Sequence, residues 1–461
     1  MYFCIFSPFL RRASPKALVF KVYQTINESQ MKNNKKEYPI LGRPSADVAG
    51  ANTDKVPVVH VEQNIKMACP FCGGIGFVRR GTRTKKHEVV QLFKCKNAEC
   101  KKTFTDSAVK GRRYPMEVII DSISYYNLGF TREKVCGIIH QLYKKIKPEP
   151  ETISRWAEEY AGLCAYNKMR SYGLKLFGPM EVLDVVTMAH HQLYRFRYHK
   201  AKIILMMQDY KNRNFYPLKE YLDAVSTETP HQFFNSGERI SDVRSMFSTA
   251  DMVVTSKTNY ANRLAEFALK GVSKNKDRHE GIQKFMIAND SVTVATEVPV
   301  YIRREDIEYM QNALNFQIIG EEGITFRKRA TREGKKSAKG KDLKKDKVGT
   351  ESFQIPELLT GHIDLVQVRN GQIHLLDYKP NAKKEKPIEQ LTWYALALSR
   401  LTGLRLYEFK CGWFDETDYF EFYPLHVVKK IMNKKKRSVS FRSGVKVEIP
   451  RDDVIQIVRR R

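Results

Sequence analysis

The chain has 461 residues, enough for about three domains at roughly 150 residues each. Hydrophobic residues make up 42% and charged residues 28%, so cores are affordable but a bilayer-embedded protein is excluded, and no run approaches the ~20 apolar residues of a spanning helix. Lys and Arg number 80 against 51 Asp and Glu, a net charge of +29. Self-repulsion on that scale gains nothing for a neutral metabolite, whereas a polyanion explains it. DNA is therefore the expected partner, ahead of an anionic membrane surface, and no membrane partner is expected.

In chain order, Met1–Leu10 is apolar and is followed by Arg11-Arg12. A secretory signal places its charge ahead of the apolar run. Residues 1–62 read as a poorly ordered extension, with Met31 as an alternative start. Residues 63–110 are short of large apolar side chains and need a staple. Four of the eight cysteines fall here, as Cys69-Pro-Phe-Cys72 and, after twenty-two residues, Cys95 and Cys100. Two close thiolate pairs can surround one tetrahedral zinc, and four cysteines leave no open position, so the zinc is expected to be structural. Cys4, Cys136, Cys164 and Cys411 are scattered and read as reduced thiols of a cytoplasmic protein.

Residues 111–165 carry apolar positions at helical spacing, Val118 to Ile123 and Val135 to Leu142, with Gly129-Phe-Thr131 as a turn and cap. Pro148, Pro150 and Thr152 start a further helix. Residues 166–275 mix helical and strand patterns as a connecting region, possible start of a catalytic domain. Their His190, His191 and His199 read as the solvated face of a basic helical stretch. A helix over His279–Met286 and a strand over Val292–Ile302 open the 276–428 segment. Its interior 327–347 holds eleven Lys/Arg against three acids and reads as a disordered basic insertion. Ile363–Val368 and Gln372–Tyr378 flank Arg369-Asn370-Gly371, the strongest short hairpin signal. Ile388–Leu401 is an amphipathic helix closed by Gly403, Arg405–Phe422 returns to strands, and 429–461 is a basic tail.

Asp364 opens one hairpin strand and Asp377 closes the next, so both carboxylates can converge on one hard cation such as magnesium. Lys379 leaves the same face as Asp377 and can steady a nucleophile or the charge developing on phosphorus.

Two resemblances follow from these residues. Cys69-Pro-Phe-Cys72-Gly, Phe93-Lys-Cys95, Cys100-Lys-Lys-Thr-Phe104, Tyr125-Tyr-Asn-Leu-Gly-Phe-Thr131 and Glu151-Thr-Ile-Ser-Arg-Trp156 resemble the zinc ribbon and helix-turn-helix of insertion-sequence transposases. That resemblance implies Ser154 and Arg155, with Glu158 and Glu159, near DNA in the major groove, and Trp156 in the core. The stretch from Asp364 to Lys379 resembles the PD-(D/E)xK nucleases, in their RecB-type branch. That resemblance implies a metal site of His279, Asp364, Asp377 and the Tyr378 carbonyl for magnesium or manganese, with Lys379 catalytic. It also implies Glu297 as a supporting residue and Gln390 and Tyr394 as a nucleic-acid-contacting pair. Some relatives in CRISPR adaptation hold an iron–sulfur cluster; only Cys411 follows the core here, so none is expected. No acid triad marks a transposase's own RNase-H-like domain.

The expected architecture is a multidomain α+β protein: a zinc ribbon at 63–110, a helix-turn-helix module at 111–165, and a restriction-endonuclease-like core with a mixed sheet at 276–428. The expected function is a magnesium-dependent deoxyribonuclease linked to mobile elements or DNA processing and repair. The alternative is a transposase-like or regulatory DNA-binding protein whose nuclease fold is inactive.

Overall fold

The computed structural model describes residues 68–105, 112–243, 247, 254–318 and 356–429. The expected extension 1–62, the basic insertion 327–347 and all but the first residue of the 429–461 tail lie outside the described residues. The chain divides into two compact units, one running to Tyr126 with Phe130–Glu158, the other comprising Asn127–Gly129 and everything from Glu159.

In the first unit, β1 (Phe77–Thr84), β2 (Val89–Cys95) and β3 (Thr103–Phe104) form an antiparallel three-stranded sheet. Its core is small: Cys69, Cys95 and Phe104 are buried, with Phe77 and Phe93 packed against them. Three helices follow, Met116–Asn127, Arg132–Leu142 and Pro150–Glu159. Thr131 caps the second by accepting the Lys134 amide, and Pro150 begins the third, where its missing N–H has no cost. Val118, Ile119, Ile123, Val135, Ile139 and Ile153 are buried, and Trp156 is 6% exposed, a core residue as its sequence context implies. Tyr114 stacks on His87 of the β1–β2 turn and meets Trp156 edge-on at 5.2 Å, tying the small sheet to the helices.

The second unit is built on one mixed sheet. Its strands are β4 (Leu183–His190), β5 (Gln192–His199), β6 (Glu238–Arg239), β7 (Thr255–Lys257), β8 (Thr293–Arg303), β9 (Leu358–Arg369), β10 (Gln372–Tyr378), β11 (Phe409–Phe414) and β12 (Tyr419–Phe422). The order is β4-β5-β8-β9-β10-β11-β12-β7, with β6 beside the start of β9. β10 and β11 run parallel, and the Ile388–Thr402 helix makes the crossover such a pair requires. β8, β9 and β10 are buried along almost their whole length, so their near-continuous apolar runs reflect a sheet covered on both faces. The β9–β10 hairpin turns on Asn370 (φ +55°) and Gly371 (φ +72°), as the Asn-Gly pair requires.

Two expectations are corrected. β9 starts at Leu358, so Asp364 lies inside its strand instead of opening it. His190 and His199 are not on a solvated helix: His190 ends β4 at 2% exposure, and His199 is fully buried at the end of β5, accepting the Lys202 amide. Only His191 is exposed. The alternation Tyr194-Arg-Phe196-Arg-Tyr198 has the period of a strand, and β5 pairs with β8 through Arg197–Thr296 and Tyr198–Ala295. The stretch read as a connection thus supplies β4, β5, β6 and β7 to the sheet.

Candidate metal centres and active site

The first donor cluster lies beside the three-stranded sheet of the first unit. Cys69 and Cys72 come from the turn before β1, Cys95 from the end of β2, and Cys100 from the turn before β3. Their sulfurs all lie within 4.8 Å of one another. Cys69 Sγ is 3.7 Å from Cys100 Sγ, and Cys72 Sγ is 3.5 Å from Cys95 Sγ. A tetrahedron with Zn–S bonds of about 2.3 Å has edges of about 3.8 Å, so the arrangement fits a zinc ion. Gly73, at φ +71°, turns the backbone so that the Cys69 amide bonds the Gly74 carbonyl.

The second cluster lies where a helix of the second unit meets two strands of its sheet. The Arg278–Asn289 helix packs on β5 and β8 and presents His279. β9 presents Asp364, and β10 presents Asp377. One donor atom from each of His279, Asp364 and Asp377 falls within a 4.8 Å set. His279 Nε2 is 2.8 Å from the Tyr378 carbonyl and 3.9 Å from Asp364 Oδ2. The Tyr378 amide donates to Asp364 Oδ2 at 3.3 Å, and Lys379 Nζ is 2.8 Å from Asp377 Oδ2. All five expected groups of this site are therefore brought together, the Tyr378 carbonyl included.

Glu297 joins them from β8. The pairs Thr296–Leu365 and Val298–Ile363 place it across from Asp364. Its φ of +51° departs from strand geometry, a conformation that costs a non-glycine residue about 1–3 kcal/mol. Gln283 Nε2 donates to its Oε1 at 2.7 Å.

Burial, then the neighbouring Asp364, pushes Asp377 up to about 8. Burial and Glu297 push Asp364 up to about 6, and burial pushes Glu297 up to about 7. Burial opposes the charge of Lys379, but the adjacent Asp377 prevails and raises its pKa. Burial lowers His279, leaving the neutral imidazole that a metal requires. Buried Asp377 and half-buried Asp364 and Glu297 crowd one ammonium, and a divalent cation held by His279, Asp364, Asp377 and the Tyr378 carbonyl would relieve that excess of negative charge.

Residues 262–419 match the PD-(D/E)XK nuclease superfamily. Comparisons with curated proteins and with solved structures give no match. The matched span holds His279, Glu297, Asp364, Asp377, Lys379, Gln390 and Tyr394, and the mixed sheet is consistent with a restriction-endonuclease-like fold. The superfamily is one of metal-dependent nucleases. The three-stranded sheet and the three helices of the first unit lie outside the matched span.

A cavity of about 340 Å³ opens beside these groups, lined in part by His279, Glu297, Asp364, Gln390 and Tyr394. Gln390 and Tyr394 share one helix face, and Gln390 Nε2 donates to the Tyr394 hydroxyl at 2.8 Å. Ser154 and Arg155 belong to the first unit; Arg155 is exposed, and Ser154 Oγ accepts from Arg132 at 2.8 Å. Sequence reasoning missed His190, Tyr194, Phe234, Arg239 and His362, which also line the cavity. The period-two run through Tyr194 was the one signal available for part of this set. Arg239 and His362 have no local signature.

Proposed function

We propose that the chain is a metal-dependent deoxyribonuclease of the RecB-type branch, directed to DNA by its zinc ribbon and a helix-turn-helix formed from the Arg132–Leu142 and Pro150–Glu159 helices. The observation that carries the reading is the convergence of His279, Asp364 and Asp377, with Lys379 paired to Asp377, inside a span matching a nuclease superfamily. A bound divalent cation supplies Lewis-acid stabilisation of the phosphoryl charge and makes water more acidic. Asp364, Asp377, His279 and the Tyr378 carbonyl hold it. Lys379 stays protonated and lies where it can orient water and meet charge developing on phosphorus. Gln390 and Tyr394 face the strand being cut.

The donor set bears on the choice of ion. Carboxylates and a carbonyl suit magnesium, but an imidazole nitrogen favours a later, softer ion. Manganese is thus expected to support cleavage at least as well as magnesium. Ser154 and Arg155, in the second turn of the third helix, are the proposed base-edge contacts. The setting we infer is a mobile element or a related DNA-processing system. Incubating the full chain with linear and circular DNA, with magnesium, with manganese and with neither, tests the activity. Cleavage should need an ion; no cleavage in any condition leaves the inactive-fold alternative.

A further inference from the structure

The cavity beside the metal ligands has a second wall, built by residues 190–194 at the β4–β5 turn, by 234–241, and by His362. Apart from His362, these residues lie outside the span that matches the nuclease superfamily. Tyr194 lies flat on His362, with ring centroids 3.6 Å apart and planes 9° from parallel. His190 lies flat on Phe234 at 4.2 Å and 10°. The Tyr194 hydroxyl accepts from Gln192 at 2.7 Å and from Arg239 at 2.8 Å. His190 is bonded through both ring nitrogens, Nδ1 to His362 at 2.9 Å and Nε2 to His231 at 2.8 Å.

This is not a wall for a phosphate backbone, which would present exposed lysine and arginine heads. His190, His362 and Phe234 are buried and back the wall, which leaves the half-buried Tyr194 ring, edged by the Gln192 amide and the Arg239 guanidinium, as its aromatic surface, the kind on which unstacked bases are received. Its volume sits at the small end of the roughly 300–1,000 Å³ of pockets that enclose a small molecule. One base with its sugar fits a space of about 340 Å³. Backbone strain gathers here as well. Among the described residues five non-glycines have positive φ, and two of them, His191 (+58°) and Glu297, line this single cavity. Such strain is held where a surrounding site over-determines it.

We propose that the wall of Tyr194, Gln192 and Arg239, backed by the buried His190 and His362, receives one unpaired nucleobase beside the metal ligands, so that the strand enters as a single-stranded or frayed nucleotide. This rests on the nuclease reading for its substrate class and adds the subsite. The test uses the full chain in calcium, which favours binding without cutting, and two probes: deoxyadenosine monophosphate and 2-deoxyribose 5-phosphate. The nucleotide should bind about tenfold tighter or more than the sugar phosphate, the order expected for one base on an aromatic ring. Tyr194→Ala should remove most of that preference and Tyr194→Phe should keep it. If Tyr194→Ala does not fold, Arg239→Met reads the same difference. Equal or undetectable binding of both probes by the natural chain, or a preference untouched in Tyr194→Ala, overturns the proposal. Cleavage is scored separately with magnesium. Cutting that depends on Asp377 without base preference leaves the nuclease and removes the subsite. Base preference without cutting does the reverse.

Discussion

At the scale of single residues, Asp377 is held by three opposing demands: burial disfavours its charge, Asp364 repels it, and Lys379 attracts it. The net elevation has a definite sign. Asp377, Asp364 and Glu297 all titrate above their ordinary values, so folding without an ion favours their neutral forms. The stability they contribute is complete below about pH 4 and is lost as pH rises through about 6 to 8. A cation binds the ionised forms and releases protons. Manganese affinity, followed by calorimetry, should therefore rise between about pH 6 and pH 8, and the ion should raise Tm more at the upper value. An affinity flat across that interval would contradict this account. Lys379→Ala should keep the ion and lose about 10²–10³ in cleavage rate, the usual loss on removing one preorganised charge. Asp377 and Lys379 were legible in the sequence because a hairpin fixes their spacing and face. The geometry of Glu297 was not, since an excursion to φ +51° leaves no local composition signal. Tyr194 and Arg239 reach the same cavity from separate segments, a convergence only the sheet order reveals.

At the scale of elements, β9 carries both Asp364 and a close approach. A Cβ on Gly361 would lie 2.5 Å from Tyr394 Cε1 and 3.4 Å from Ile240 Cδ1. Gly361→Ala should therefore cost about 1–3 kcal/mol, as overpacking does, and shift Tyr394 in the cavity. Urea unfolding measures it, and an unchanged midpoint would show that the helix yields freely. The β1–β3 sheet is the opposite case, with almost no core of its own. Cys95→Ser should abolish zinc binding and unfold β1–β3, while the buried sheet of the second unit keeps its cooperative melt. Metal analysis and calorimetry of the variant check both halves. The Asn-Gly turn, the left-handed Gly403 cap and the Ile388–Thr402 helix could be read directly, because each has its own local chemistry. β5 was misread because its arginines were weighed as charge and its tyrosines and phenylalanine were not weighed as alternation. Arg197 is fully buried there and paired with Glu280, so a basic residue in this strand points inward.

At the scale of the whole chain, a charge of +29 makes DNA affinity salt-dependent. Log affinity should fall steeply and linearly with log salt concentration, and deleting 327–347 should make the slope shallower by removing eleven cationic side chains. An unchanged slope would place those charges away from the DNA. No helix among the described residues is long and apolar enough to cross a membrane. The central claim is that the His279–Asp364–Asp377 cluster cuts DNA with the help of a divalent ion. It is tested most directly by measuring cleavage by the full chain and by Asp377→Asn, in magnesium and in manganese, with DNA binding scored on the same samples. The account predicts ion-dependent cleavage by the natural chain, a loss of more than about a hundredfold in the variant, and DNA binding retained in both. Cleavage by Asp377→Asn at the natural rate would contradict it.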